Sequence, residues 1–489
     1  MITNYETLLE SEETLDPQDW EQLRQIGHRM VDEMLDFLRD IRQHPVWQQP
    51  PAAAKASLQK SLPERPEALE TIYQDFRENI LPYPKGNIHP RFWSWVQGTG
   101  SPQSMLAEML ASGMNSNVAI GEHSAMYVDS QVIEWCKTML GYPTGASGLL
   151  VGGGSVANIT ALIVARNAFG DRSIRQHGLR ALPGQMALYA SSETHSCIQK
   201  AVEILGLGSD ALRKIRVGAD YRMDTVHLRQ RIVEDRAAGF LPFCVVANAG
   251  TVNTGAIDPL DEILDICREE NLWLHIDGAF GALAKLVPEY QAVLRPLEEA
   301  DSVAFDLHKW MYLPYEIGCV LIKNADLHRS AFALQPEYLL SHERGLAAGP
   351  DPIGNYSMEL SRGFKALKAW MSFREHGIEK FARLIRQNIA QSFYLEKLVL
   401  QEPELELLTP VTMNIVCFRY RKPGLDTAAL NQLNREILMR LHEENVATPS
   451  YTLLDGKYAI RVANVNHRSR KEDFEALVAG VLRIGRTFA

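Results

Sequence analysis

The sequence predicts an α/β protein, with a mostly parallel sheet covered by helices on both faces and a small C-terminal α+β domain. Between residues 147 and 323, short runs that are apolar throughout alternate with helical segments. Strands without a polar face are buried on both sides, which is typical of parallel sheets covered by helices. After residue 403, strand-like "MNIVCFRYR" and "YAIRVANVN" accompany helical "LNQLNREILMRLHEE" and "KEDFEALVAGVLRIG".

The length and charge of the chain limit its organisation and partners. Its 489 residues exceed one small core, so we expect two or three structural units. We divide the chain into an N-terminal arm (residues 1–85), a large domain (residues 86–375) and a small domain (residues 376–489). The formal net charge of −10 argues against nucleic acid and anionic membranes, since both favour a basic surface. A small-molecule substrate is the expected partner.

The N-terminal arm contains a strongly amphipathic segment at residues 16–41, with apolar residues at helical spacing. Asp16 can cap this helix, and Pro17 suits its first turn. A second, weaker helix is expected at residues 66–79. The arm has apolar stripes without a partner of its own size, so we expect it to pack on a second subunit in a homodimer.

The cysteine pattern and the chain start favour a cytoplasmic protein. No CxxC pair or compact disulfide spacing occurs among the six cysteines, which fits a reducing compartment. The acidic start "MITNYETLLESEETLD" lacks the apolar region of a signal peptide. No stretch has the roughly 18 apolar residues that a membrane span needs. A metal enzyme is not expected, because neither HExxH nor a cysteine cluster is present.

Polar residues follow four of the predicted strands. They are Ser155 in "GGGSVAN", His195 in "SSETHSC", Asp277 after "LWLHI", and the pair His308–Lys309 in "FDLHKWMY". In open parallel sheets, binding sites gather beyond the carboxyl ends of the strands. We therefore expect these residues to meet in one site.

Each of these residues suggests one part of a pyridoxal 5'-phosphate site. Glycines and helix N-terminal amides with a serine can hold a phosphate. Asp277 can partner a protonated ring nitrogen. Lys309, which closes an apolar strand, suits a partly buried reactive amine. The ring of His195 can stack on a flat cofactor.

Other interpretations of these residues remain open. The turn at Ser155 fits neither GxxxxGK[ST] nor GxGxxG, which disfavours a nucleotide, but it can be a plain strand-to-helix turn. Together with Asp277 and His308, Ser155 also follows the chain order of an α/β-hydrolase triad. Asp277 can act as a structural cap, and His195 as a buried core histidine.

The motifs "HPRFWSW", "GGGSVANITALIVARN", "NAGTVNTGAIDPLDEI", "WLHIDGAFGA", "ADSVAFDLHKWMY" and "LSRGFKALKAW" resemble a known family over nearly the whole chain. This is the group II of pyridoxal-phosphate-dependent amino-acid decarboxylases, which includes aromatic-L-amino-acid, histidine and glutamate decarboxylases; the chain looks like a divergent, bacterial-type member. The resemblance implies a type I fold with a seven-stranded sheet domain, and a dimer with active sites at the interface.

The resemblance also implies roles for individual residues. Lys309 corresponds to the Schiff-base lysine, and Asp277 to the partner of the ring nitrogen. His195 would stack on one face of the ring. The remaining positions are Ala279 on the other face, Gly154 and Ser155 at the phosphate, His308 beside the lysine, Asp306 in place of a phosphate-side Asn or Ser, and Trp95 in the substrate pocket.

The expected reaction removes the α-carboxylate of an L-amino acid, by default an aromatic one, and then protonates Cα to give an amine. In the aromatic and histidine enzymes a tyrosine on a mobile loop is thought to deliver this proton. Residues 336–360 are the corresponding loop here, with Tyr356 as the better candidate and Tyr338 as the weaker one.

Several positions depart from the family pattern. Val156 replaces a glutamate, Val252 replaces a threonine, and Leu307 stands where proline is frequent. The segment at residues 113–132, which helps form the substrate pocket in the family, carries the polar residues Asn115, Asn117, Glu122 and His123. A more polar pocket than that of the aromatic enzymes is therefore expected.

Three rival functions share parts of this pattern. An aminotransferase would use the same fold and could clamp the substrate carboxylate with Arg461, although we expect Arg461 to form a buried structural ion pair. An aldehyde synthase, which decarboxylates oxidatively, would follow if the loop tyrosine were missing. A non-catalytic regulator would not need the residues Asp277, His195 and Lys309.

Overall fold

A computed structural model describes residues 9–10, 12–170, 173–334 and 342–488. Its contacts divide the chain into two compact units. One comprises Met1–His44 and Gln49–Pro84, and the other comprises Pro45–Gln48 and Lys85–Ala489. The predicted boundary at residue 375 lies inside the second unit and stays a prediction.

The described residues of the first unit include the helices α1 (Trp20–Arg39), α2 (Ala52–Ser57) and α3 (Leu69–Asn79). Helix α1 begins later than predicted, because the Asp19 carboxylate, not that of Asp16, accepts hydrogen bonds from the first free backbone amides. Of the 20 residues in α1, only Ile26 is buried. The Tyr73 hydroxyl of α3 donates to Glu33 of α1 over 2.7 Å.

The second unit contains a seven-stranded sheet in the order β2–β8–β7–β6–β5–β3–β4. The strands are β2 (Ser147–Val151), β3 (Met186–Ser191), β4 (Leu212–Ile215), β5 (Leu241–Asn248), β6 (Trp273–Asp277), β7 (Ser302–Asp306) and β8 (Gly318–Ile322). Only β8 runs against the others, since it pairs antiparallel with both β2 and β7. The prediction of a mostly parallel sheet is confirmed.

Helices cover both faces of this sheet, as predicted. Alternate residues of one strand enter two separate cores: Leu188 packs in one and Tyr189 in the other. The helices that surround the sheet are α4 (Pro102–Met114), α5 (Ser124–Leu140), α6 (Gly154–Phe169), α7 (Ser173–His177), α8 (Ser196–Ile204), α9 (Thr225–Ala237), α10 (Leu260–Glu269), α11 (Leu307–Trp310), α12 (Ala325–Phe332) and α13 (Ala366–His376).

A second sheet of five strands, in the order β1–β11–β12–β10–β9, forms the C-terminal α+β part. Its strands are β1 (Phe92–Trp93), β9 (Leu405–Leu407), β10 (Ile415–Tyr420), β11 (Thr448–Leu454) and β12 (Lys457–Ala463), accompanied by α14 (Ile378–Gln401), α15 (Thr427–Glu443) and α16 (Lys471–Arg486). The edge strand β1 comes from far upstream and pairs parallel with β11. This pairing fixes the segment that carries Trp95. No helix in the described part of the chain is long and apolar enough to cross a membrane.

Candidate active site

One cavity of about 710 Å³ lies at the carboxyl edge of the large sheet, where β2, β3, β5, β6 and β7 all end. It brings together nine residues singled out from the sequence: Trp95, Gly154, Ser155, His195, Asp277, Ala279, Asp306, His308 and Lys309. The convergence follows from topology, because parallel strands deliver their carboxyl ends to one edge.

Lys309 lies in the short helix α11 directly after β7. Its Nζ is 2.8 Å from Oδ2 of Asp306, a residue that is 1% exposed. Burial alone lowers the pKa of the Lys309 amine, but the charge of Asp306 and the hydrogen bond to it outweigh burial, so that the pKa is raised. Lys309 is therefore held as an ammonium group by its neighbour.

Asp277 ends β6 and is buried. Its Oδ1 accepts from the backbone N–H of Ala279 over 3.1 Å, and its Oδ2 accepts from Nδ2 of Asn158 over 3.1 Å. Burial raises the pKa of the Asp277 carboxyl, and the positive charge of Lys309 opposes this shift. A cation at its free side would stabilise the carboxylate form.

His195 caps the N-terminus of α8, where its Nδ1 accepts from the backbone N–H of Cys197 over 3.2 Å. This contact restrains the ring of His195, which lines the cavity. Desolvation by the surrounding protein lowers the pKa of His195. The ring is thus neutral at pH 7 and suited to stacking.

The turn between β2 and α6 consists of glycines, which allow a bound group to come close to the backbone. Gly153 has a φ of +149°, and a Cβ at Gly154 would lie 2.8 Å from Oδ2 of Asp306. Helix α6 has 16 residues, and its first backbone amides follow this turn directly. Free amides at a helix N-terminus bind anions such as phosphate.

His308 is fixed beside this turn. Its Nδ1 accepts from the backbone N–H of Ile317 over 3.1 Å, and its ring centroid lies 4.4 Å from that of Tyr315. Burial lowers the pKa of His308, although Asp306 opposes the shift. The position suits a neutral ring next to Lys309.

Arg461 of β12 also lines the cavity, but the predicted ion pair is wrong. Its guanidinium donates to the carbonyls of Trp95, Val252 and Asn253 and to Oγ of Ser450. Burial lowers its pKa to about 10. These four neutral acceptors hold the side chain without cancelling its charge.

Tyr356 does not line the cavity. Its hydroxyl donates to Oδ2 of Asp351 over 2.8 Å, and burial together with this carboxylate raises its pKa to about 12. The structure does not bring Tyr356 together with Lys309 in one chain, and its catalytic role stays a prediction. Tyr338 lies outside the described residues.

The polar residues of the segment at 113–132 do not line the cavity of the described chain either. Asn117 bonds the backbone of Leu360 and Arg362, and Glu122 accepts from the Tyr127 hydroxyl over 2.7 Å. The cavity wall instead includes residues that were not predicted from the sequence: Gln97, Asn158, Asn253, Phe280, Tyr315, Glu316 and Tyr451. Two of them, Gln97 and Tyr451, come from distant segments that the pairing of β1 with β11 brings to the cavity.

These residues fit pyridoxal phosphate. A partly buried amine, a buried carboxylate and a glycine turn at a helix N-terminus supply partners for an aldehyde, a ring nitrogen and a phosphate, respectively. All three line the same cavity of about 710 Å³.

Comparison with known proteins agrees with this chemistry. Residues 51–421 match the profile of the pyridoxal-dependent decarboxylase conserved domain. The chain is 34% identical to an aromatic-L-amino-acid decarboxylase of Bacillus atrophaeus over 93% of both chains. It is 31% identical to a phenylacetaldehyde synthase of Arabidopsis thaliana over 93% of this chain and 94% of the other. The crystal structure of Oryza sativa TDC with PLP and tryptamine superposes with a TM-score of 0.89 at 25% identity, covering 97% of this chain and all of that one.

Proposed function

Since the chain belongs to the pyridoxal-dependent decarboxylase family and is a pyridoxal-phosphate-dependent amino-acid decarboxylase, we propose that it converts an aromatic L-amino acid to the amine and carbon dioxide. Support comes from the relatives named for aromatic amino acids. The aromatic residues Trp95, Phe280, Tyr315 and Tyr451 in the cavity wall support it as well.

The bound cofactor supplies a protonated pyridine ring that accepts the electron pair of the breaking Cα–carboxylate bond. In our proposal Lys309 would hold the cofactor aldehyde through Nζ, and Asp277 would keep the ring nitrogen protonated. His195 and Ala279 would contact the two faces of the ring.

The phosphate would be held by Gly154, Ser155 and the first amides of α6, with His308 and Asp306 beside them. A Cβ added at Gly154 would lie 2.8 Å from Oδ2 of Asp306, so this tight turn has no room for a side chain. A side chain at this position would fill the space that the phosphate needs. Arg461 adds a positive charge to the cavity that can attract the substrate carboxylate.

The first experiment incubates the cofactor-loaded enzyme with each standard amino acid and follows carbon dioxide, hydrogen peroxide and ammonia together. Carbon dioxide alone, from aromatic substrates, is the expected result, with Lys309→Ala as the inactive control. Release from non-aromatic amino acids only would contradict the proposed substrate. Turnover that depends on added 2-oxoglutarate would indicate an aminotransferase.

An oxidative aldehyde synthase is the second candidate. The position of Tyr356, bonded to Asp351 and outside the cavity formed by the described residues, supports it, because Cα is open to oxygen where no tyrosine protonates it. The similarity to a phenylacetaldehyde synthase also supports it. Peroxide and ammonia released in equal amounts with carbon dioxide would establish this activity.

We also propose a homodimer with active sites at the interface. Three large apolar residues on α4 are about half exposed: Met109 (52%), Leu110 (48%) and Met114 (51%). Such a patch on one helix is typical of a protein interface. Leu110→Lys is expected to shift the mass measured by light scattering from dimer to monomer, whereas Val226→Lys, an exposed apolar position on α9, is not.

A cytoplasmic location is part of the same proposal. All six cysteines are buried and unpaired, which fits a reducing compartment. Fractionation of cells that make the tagged full chain would test it, and recovery in an oxidising compartment would contradict it.

A further inference from the structure

Behind Asp277, five side chains form one continuous series of hydrogen bonds, the Trp273–Asp277 relay. Nε1 of Trp273 lies 2.8 Å from Oγ of Ser302, which lies 2.9 Å from Nδ1 of His275. Nε2 of His275 is 2.6 Å from Oδ1 of Asn158, and Nδ2 of Asn158 is 3.1 Å from Oδ2 of Asp277. His275, Ser302, Asn158 and Asp277 are all buried. Of the five residues, only Asp277 has a part in the reaction as proposed.

The hydrogen atoms in this relay can run in two directions. In the first, His275 carries its proton on Nε2 and donates to Asn158, whose amide nitrogen then faces Asp277. In the reverse direction, Asn158 is flipped and its amide oxygen faces Asp277. Both facing oxygens are then acceptors, so the carboxyl of Asp277 must be protonated to form a hydrogen bond. The direction of the relay therefore decides which form of Asp277 is favoured.

The contact between Asn158 and Asp277 selects the first direction. Because Nδ2 of Asn158 donates to Asp277, its Oδ1 faces Nε2 of His275, and an amide oxygen only accepts, so Nε2 carries the proton of the neutral ring. The indole N–H of Trp273 donates to Oγ of Ser302, whose own hydrogen is then available for Nδ1 of His275. Burial lowers the pKa of His275 to about 3, which keeps the ring neutral throughout the working pH range.

A second hydrogen-bond donor also favours the ionised form of Asp277. The backbone N–H of Ala279 donates to Oδ1, so both carboxylate oxygens face donors. This matters because burial favours the protonated carboxyl. The other charged or titratable groups that act on Asp277 are Lys309, His195, Asp306 and Cys197, and among them the charge of Lys309 most strongly opposes the effect of burial. Hydrogen bonds to the charged form act in the same direction as Lys309 and stabilise the carboxylate further.

We propose that His275 and Ser302 are positioning residues that, through Asn158, keep Asp277 ionised and so keep the cofactor ring nitrogen protonated. The inference rests on the proposed contact between Asp277 and that nitrogen. It gives His275, two residues before Asp277 on β6, a definite role, because its Nε2–H orients the amide of Asn158 that donates to the aspartate.

Two substitutions at His275 test its donor atom, Nε2, separately from its acceptor atom, Nδ1. The Gln side chain can place an N–H near the position of Nε2, so His275→Gln retains the donor to Asn158. The Asn side chain reaches only the position of Nδ1, so His275→Asn retains an acceptor for Ser302 but loses that donor. Ser302→Ala removes the hydroxyl that fixes the tautomer. Its matched control is Ser392→Ala, a buried serine on α14 whose hydroxyl bonds only the carbonyl of Asn388.

The measurements are made on the loaded full-length enzyme by ¹⁵N NMR. With ¹⁵N-histidine, the wild type should show the Nε2–H tautomer of His275 and no titration between pH 5 and 9. With ¹⁵N-labelled cofactor, the ring nitrogen should be protonated in the wild type, His275→Gln and Ser392→Ala. In His275→Asn and Ser302→Ala it should shift toward the unprotonated value, with kcat lowered at least tenfold and KM changed less.

Different failures have different meanings. A protonated ring nitrogen together with an Nδ1–H tautomer of His275, or with an unchanged ring-nitrogen shift in His275→Asn, would overturn this inference alone. An unprotonated ring nitrogen in the wild type would overturn it together with the proposed contact of Asp277. Circular dichroism of each variant distinguishes loss of the relay from loss of the fold, and an unfolded His275→Asn leaves Ser302→Ala to decide.

Discussion

The Nζ atom of Lys309 lies 2.8 Å from Oδ2 of Asp306, three residues earlier in the chain. Oδ1 of the same carboxylate is buried and has no hydrogen-bond partner among the described residues. A carboxylate therefore stands between the amine that would hold the cofactor and the glycine turn that would hold its phosphate.

This pair should make cofactor loading depend on pH. Nζ must lose its proton before it can bond to the aldehyde carbon, and Asp306 raises the pKa of Lys309. The loading rate should therefore increase with pH until that pKa is reached. In Asp306→Asn, burial becomes the main influence on Lys309 and lowers the pKa of its amine. The curve of loading rate against pH should therefore move to lower pH. Absorbance during cofactor addition measures the rate. Asp301→Asn, at the opposite edge of the sheet, is the control, and identical profiles for Asp306→Asn and the wild type would refute the expectation.

Gly98 should tolerate no side chain. A Cβ there would lie 2.1 Å from the carbonyl oxygen of His308 and 2.5 Å from that of Lys309. Gly98→Ala must displace the backbone that carries the reactive amine, and we expect at least a tenfold weaker affinity for the cofactor. Gly145→Ala, in the loop before β2 and with nothing within 4 Å, is the matched control. It should leave cofactor affinity unchanged, as measured by fluorescence titration.

Asp277→Asn should separate stability from catalysis. Because the pKa of this carboxyl is raised in the folded protein, ionised Asp277 costs stability as pH increases above the value in the unfolded chain. The amide carries no charge, so the cofactor-free variant should melt at a higher temperature than the wild type near pH 7 and at an equal one near pH 3. Its kcat should fall on the order of 10²-fold or more, since a charged partner is lost at the reacting centre. A lower melting temperature at pH 7 would contradict this sign.

Arg461→Lys should affect substrate binding more than the folding of the chain. Lysine has three donors and cannot replace the four hydrogen bonds of the guanidinium, so the cation moves away from the cavity. We expect KM to increase at least tenfold with a smaller fall in kcat. Arg468→Lys is the control, because this partly buried arginine also bonds carbonyls but does not line the cavity. Equal KM values in both variants would argue against a role of Arg461 in substrate binding.

Local sequence patterns were sufficient for the large sheet and for most of the site. The apolar runs that become β6 and β7 are followed directly by Asp277 and by His308–Lys309. The same local pattern therefore predicts both the strand and the functional residue at its end. The same patterns misjudged the start of α1, where Asp16 and Asp19 are both plausible caps and only backbone geometry decides between them. They also misjudged Arg461, since an apolar strand does not reveal that its arginine meets carbonyl oxygens from two distant segments.

By itself, the sequence determined the fold class and the set of residues that gather at the carboxyl edge of the sheet. The reason is that hydrophobic periodicity, apolar content and strand ends are local properties of the chain. In a parallel sheet, residues that follow different strands then lie at the same edge. The tertiary structure alone decided how these residues interact. The Lys309–Asp306 pair, the charge of Arg461 among carbonyls, and the relay from Trp273 to Asp277 depend on distances between elements. Hydrogen bonds and pKa shifts change over fractions of an ångström, which no spacing along the chain specifies.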